Sequence, residues 1–138
     1  MPTWMLVEDE PDICDVMIAM FELWGVDYIH FYTGREAVDW IDGVDSGSEA
    51  GALPELAVLD IRLPDPDLNG DHVAKRLRQS PRLRGMGIVM ITAYRLKPAE
   101  EEQVLAASGA DRLLYKPLPV VHELRAIFDD VLAVRHAP

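Results

Sequence analysis

Four apolar runs in this chain end in residues able to do chemistry. Leu56-Ala-Val-Leu59 closes in Asp60, and Trp4-Met-Leu-Val7 closes in Glu8-Asp9. Ile88-Val-Met-Ile91 closes in Thr92, and Leu113-Leu-Tyr115 closes in Lys116-Pro117. Carboxylates bind hard divalent cations, a hydroxyl hydrogen-bonds a phosphoryl oxygen, and an ammonium neutralises charge. Gathered at one point, three carboxylates, one hydroxyl and one ammonium can hold Mg²⁺ (or Mn²⁺) and handle a phosphoryl group. Each residue taken singly has a plainer reading. An acid pair suits a helix N-terminus, a threonine at a strand end bonds to backbone, and a lysine is mostly solvated. The chemistry requires all of them in one place.

Apolar runs of this length bounded by turn signals read as buried strands of a parallel sheet, and such a sheet binds ligands beyond the carboxyl ends of its strands. Helical patterns alternate with the runs. Pro11 opens a helix with Ile13, Val16, Met17, Met20, Phe21 and Trp24 at helical spacing, and Gly25 stops it. Residues 26–32 alternate as a second strand, and Thr33-Gly-Arg-Glu36 is a capping box for a helix that turns Ala37, Val38, Trp40 and Ile41 inward. Residues 43–54 read as a mobile small-residue loop. A third helix over about 71–80 faces Val73, Ala74 and Leu77 inward and Lys75, Arg76 and Arg78 outward. A fourth, from about Pro98 to Ser108, has a weak apolar face of Val104 and Leu105. The last, about 119–134, carries Val121, Leu124, Ile127, Phe128, Val131 and Leu132. A strand-helix unit repeated five times over predicts an α/β fold, a doubly wound (βα)5 parallel sheet with helices on both faces.

The chain of 138 residues predicts one domain spanning 1–138. Its formal net charge of -11 disfavours direct binding to nucleic acid or to an anionic membrane. The single Cys14 lies in a helical apolar stretch and reads as a small buried hydrophobe. Neither a secretory signal nor a transmembrane run is visible, so a cytoplasmic location is expected. The four histidines, 30, 72, 122 and 136, show no metal spacing and are expected in solvated or structural roles.

These marks resemble the receiver domain of two-component response regulators, the CheY-like family, from Thr3 to about Val134. Glu8 and Asp9 match the acidic pair after the first strand, and Asp60 matches the phosphoacceptor aspartate. Pro64 stands four residues beyond it, Thr92-Ala93 matches the hydroxyl and small pair, and Lys116-Pro117 matches the lysine with its proline after a cis bond. The resemblance implies a flavodoxin/CheY-like strand order of 2-1-3-4-5. It implies that a sensor histidine kinase or phosphotransfer protein donates a phosphoryl group to Asp60. It further implies that Mg²⁺ is held by Asp9, Asp60 and the Arg62 backbone carbonyl, with Glu8 acting through water. Thr92 and Lys116 would grip the phosphoryl oxygens, and signalling would pass to a downstream protein target or an attached output domain, or through a homodimer. The domain would be a signalling switch, taking part only in its own phosphotransfer and dephosphorylation. The face of the fourth helix, fifth strand and fifth helix is the family's usual contact surface. No output segment precedes Pro138, which fits a stand-alone receiver or a piece of a larger protein.

Three features depart from the family pattern. Leu113 stands where an aromatic usually tracks activation, and Tyr115 directly precedes Lys116. The loop Ile61-Arg-Leu-Pro-Asp-Pro-Asp-Leu-Asn-Gly70 is about two residues longer than the common form and stiffened by its prolines. Arg62 and Tyr94 stand two residues beyond Asp60 and Thr92, where both should face the site and slow phosphoryl loss. Two other functions compete. A pseudo-receiver that only binds protein would typically lack some of these residues. A phosphatase with an aspartate nucleophile would carry a second acid where Arg62 stands and would need a cap domain.

Overall fold

The computed structural model describes residues 2–65 and 67–137. Its elements run β1 (Thr3–Val7), α1 (Pro11–Leu23), β2 (Asp27–Phe31), α2 (Gly34–Ser46), β3 (Leu56–Asp60), α3 (Gly70–Gln79), β4 (Gly87–Thr92), α4 (Pro98–Ser108), β5 (Arg112–Tyr115) and α5 (Val121–His136). The five strands form one parallel sheet in the order β2-β1-β3-β4-β5, as expected. No helix among the described residues is long and apolar enough to cross a membrane.

Every residue of β1, β3 and β4 is buried, which explains why these runs are apolar throughout. The strand period of two sorts their side chains onto two faces. Met5, Val7, Ala57, Leu59, Ile88 and Met90 pack with Ala37, Ile41 and Val44 of α2 and Val73, Ala74 and Leu77 of α3. Trp4, Leu6, Val58, Val89 and Ile91 pack with Met17 and Phe21 of α1 and Leu124, Phe128 and Val131 of α5. Trp4 meets Phe21 and Phe128 edge-on, each at 5.5 Å between ring centres, an arrangement aromatic quadrupoles favour.

Three local expectations are corrected. Helix α2 does not stop near residue 42 but continues to Ser46, and Gly47 ends it in the left-handed conformation. Val44 reaches the core one turn beyond Ile41, and Asp42 and Asp45 pair with Arg76 at 2.9 and 2.7 Å. A small-residue composition concealed these tertiary partners. Val16 is 47% exposed, while Cys14, 4% exposed as expected, takes the inward position on α1. Arg78 does not point to solvent. It lies along the base of α3 and donates to the carbonyls of Gly109, Arg84 and Met86 at 2.9, 2.7 and 2.6 Å and to Asp111 at 3.1 Å.

The loop from Asp60 to α3 returns tightly on itself. Gly70 N–H donates to the Ile61 carbonyl at 2.9 Å. A Cβ on Gly70 would run into the backbone carbonyl group of Asp60, so only glycine lets α3 start this close to the strand end. Pro66, part of the proline-stiffened loop expected here, lies outside the described residues. Gly70→Ala should therefore destabilise the fold by about 1–3 kcal/mol through overpacking. Gly85→Ala, where a Cβ meets nothing within 4 Å, should be neutral to slightly stabilising. Urea unfolding of the two variants checks this, and equal stabilities would refute the tight-turn account.

Candidate functional site

Strands β1, β3, β4 and β5 all end at the same edge of the sheet, and their last residues meet there. The β1–β2 ladder closes with Glu8 N–H on the Phe31 carbonyl at 3.0 Å. Asp60 is the register partner of Ile91, so Thr92 lies one residue further along the neighbouring strand. Lys116 N–H donates to the Thr92 carbonyl at 2.8 Å, which brings the lysine alongside. The Lys116–Pro117 bond is cis, as the family resemblance implied.

The Lys116 ammonium gathers the acids. It contacts Asp60 Oδ2 at 3.1 Å, Glu8 Oε1 at 3.2 Å and Glu10 Oε1 at 3.0 Å. Asp60 and Thr92 are each 2% exposed and Glu8 is fully buried, while Asp9 is half-buried. Asp60 Oδ1 accepts the Arg62 N–H at 3.2 Å, which sets the Arg62 peptide beside the carboxylate. Thr92 Oγ1 accepts the Tyr94 N–H at 3.1 Å. The Arg62 guanidinium lies 4.3 Å above the Tyr94 ring, so these two side chains do meet. Leu113 is a core leucine, 6% exposed. Tyr115 instead sends its hydroxyl to α4, donating to Glu101 Oε2 at 2.8 Å beneath the Arg95 guanidinium.

Three residues here went unremarked as site residues in the sequence. Glu10 belongs to the visible acid run, but nothing local shows that it turns back to Lys116. His30 and Cys14 reach the Glu8 carbonyl from β2 and α1, and no spacing rule foretells that meeting.

One ammonium does not balance these carboxylates. Like charges about 4 Å apart cost on the order of 4 kcal/mol at an effective dielectric near 20. The carboxyl of Glu8 is pushed up from 4.5 to about 9, first by burial, then by the closeness and charge of the Asp60 carboxylate, with Lys116 opposing. Burial would lower the Lys116 ammonium. Its hydrogen bonds to Glu10 and Asp60, with the charges of Asp60 and Glu8, outweigh that and raise it above its ordinary value. The donor set suits a hard divalent cation on two observations. Glu8, Asp9 and Asp60 each offer an oxygen, all within 4.8 Å of one another. Glu8 Oε2 is buried with no hydrogen-bond partner among the described residues, as expected of an oxygen that holds a proton or answers a cation.

Without metal, the folded protein keeps a proton on Glu8 that the unfolded chain releases above about 4.5. The folded state then binds more protons than the unfolded one, so stability falls as pH rises from about 4.5 and levels off beyond about 9. Glu8→Gln, isosteric with the protonated acid, should flatten this loss by more than about 1.4 kcal/mol across the window. Urea unfolding in EDTA at both ends of the window measures it, and identical slopes in the two proteins would count against a protonated Glu8.

The response regulator receiver domain family matches residues 5–128. The chain is 32% identical over 127 residues to the DNA-binding dual master transcriptional regulator RpaA of Synechocystis sp., covering 92% of this chain and 48% of RpaA. It thus spans about half the length of that relative. It is 27% identical over 123 residues to the polar-differentiation response regulator DivK of Brucella ovis, covering 89% of this chain and 90% of DivK. Among solved structures, it resembles the receiver domain of a sensor histidine kinase from Pseudomonas aeruginosa, which has a magnesium ion coordinated in its active-site cleft. The TM-score is 0.76 at 23% identity, over 96% of this chain and 98% of that one. With this fold, this strand order and a family match over nearly its whole length, the chain belongs to the response regulator receiver domains of two-component signalling.

Proposed function

We propose that this chain, as a single domain over residues 1–138, is a phosphoaccepting receiver in the cytoplasm, with Asp60 as the phosphoacceptor. The observation that carries the reading is the buried Asp60 carboxylate held by Lys116 at 3.1 Å among acids that one ammonium cannot neutralise. A phosphohistidine on a sensor histidine kinase or phosphotransfer protein is the donor. An Asp60 carboxylate oxygen attacks phosphorus, the P–N bond breaks, and the imidazole leaves with the electron pair. Hydrolysis of the resulting acyl phosphate restores the carboxylate and releases inorganic phosphate.

Asp9, Asp60 and the Arg62 carbonyl would hold Mg²⁺ or Mn²⁺, with Glu8 behind them through water. When bound, the cation neutralises charge on the phosphoryl group, the main demand of such a transfer. Lys116 keeps the Asp60 carboxylate oriented and meets the incoming oxygens with positive charge. Thr92 now spends its oxygen on the Tyr94 N–H and can turn its hydroxyl to a phosphoryl oxygen, drawing the following loop with it. A tenfold change in the active population needs about 1.4 kcal/mol, and one charge-assisted hydrogen bond has that size. The moved loop would alter the face of α4, β5 and α5, where a downstream protein, an attached output domain or a second copy docks. A non-phosphorylated binding module would have no use for the strained acid cluster.

Incubation with a small acyl phosphate and Mg²⁺ should give one labile phosphoryl adduct by intact mass. Asp60→Asn or excess EDTA should abolish it. Failure of the native protein to form any adduct would leave only the binding-module reading. The Arg62–Tyr94 pair roofs the approach to Asp60 and should slow water. An exposed cation–π pair is worth about 0.5–1 kcal/mol, so Arg62→Ala and Tyr94→Ala should each speed phosphoryl loss about two- to fivefold. Unchanged lifetimes in both variants would remove the roof from the mechanism.

A further inference from the structure

The Glu8 carbonyl stands just past the end of the β1–β2 ladder, and no backbone N–H among the described residues donates to it. Two side chains do. His30 Nε2 lies 3.0 Å from the oxygen and Cys14 Sγ lies 3.3 Å from it, with 3.3 Å between the two donors. A carbonyl only accepts, so the His30 proton is on Nε2 and the thiol hydrogen also points at this oxygen. His30 is the register partner of Leu6, whose side chain faces α1 and α5, so the imidazole stands on the α1 side, where Cys14 is. The Tyr32 ring packs against it, 4.2 Å from the imidazole centre.

The oxygen so held belongs to the peptide between Glu8 and Asp9. That unit is planar, so with β1 fixed, holding its carbonyl sets ψ of Glu8 and with it the place of the Asp9 Cα. With β1 held in the sheet, a different ψ would leave the Glu8 side chain in place and carry the Asp9 carboxylate away from Glu8 and Asp60, the two acids it converges with. We infer that His30, assisted by Cys14, is a positioning residue for Asp9: by clamping the Glu8 carbonyl it presents Asp9, beside Glu8, to a divalent cation. The inference rests on the reading of the acid cluster as a Mg²⁺ site. Residues that orient metal ligands commonly account for 10- to 100-fold in metal affinity.

Calorimetric titration of metal-stripped protein with Mg²⁺ tests it. His30→Phe keeps a ring against Tyr32 but lacks the donor, and should weaken Mg²⁺ binding about tenfold. His30→Gln places an N–H near the same point and should recover most of the loss, which a merely structural histidine would not predict. Thermal melts in EDTA report folding independently of the metal. Should His30→Phe fail to fold, Cys14→Ala decides: weaker Mg²⁺ binding supports the clamp and native affinity overturns it. Native affinity in a folded His30→Phe overturns it as well, while the Mg²⁺ reading stands. If the native protein takes up no Mg²⁺, the metal site falls and the clamp falls with it.

Discussion

Carboxylates forced together out of water repel one another, and the site is organised around that repulsion. Glu8 is fully buried and Asp60 nearly so, and both reach the same lysine as the exposed Glu10. A lysine is a compact charge with three donors, and here all three are in use. It relieves the crowding only in part, so Glu8 retains a proton and its second oxygen goes without a partner among the described residues. Such a site has a standing affinity for positive charge. In the proposed function, a bound cation and then a phosphoryl group on Asp60 would change what Lys116 and Thr92 touch.

The sheet makes this strain tolerable. Strands β1, β3 and β4 are buried along their whole length, with helices packed on both faces. Their ends are therefore held by close packing as well as by the site's own contacts. Gly70 extends that rigidity into the loop, since it lets α3 begin against the Asp60 carbonyl. The acids have little freedom to splay apart, which is the condition for a raised carboxyl pKa to persist.

Rigidity is unevenly shared. Ser108 is the one buried residue of α4, whereas Leu124, Phe128, Val131 and Leu132 anchor α5. Near its start α4 depends on Tyr115, whose hydroxyl holds Glu101 while Arg95 covers the ring. Tyr115 is the register partner of Thr92. Polar contacts of this kind exchange readily with water, so α4 is held to the sheet less firmly than α5. The far end of the molecule is fastened differently. Asp111 accepts the Ile88 N–H and binds both Arg78 and Arg135, tying α3, β4 and α5 beneath the sheet.

Reading along the chain reveals the succession of elements and the kinds of chemistry that end each strand. Both follow from local rules: periods of two and of about 3.6, proline and glycine at boundaries, apolar runs that stop at polar residues. Asp60, Thr92 and Lys116 stand out for that reason, and α4 ends where Gly109 says it should. The end of α2, the inward lie of Arg78 and the turn of Glu10 toward Lys116 stayed hidden, because each depends on a partner from another element. The same holds for His30 on the Glu8 carbonyl. Lys116 and Glu8 are 108 positions apart in the chain yet in contact at 3.2 Å. Which acid keeps its proton is set by burial and by distances of a few ångströms, and those quantities come into being only when the five strand ends are brought to one edge.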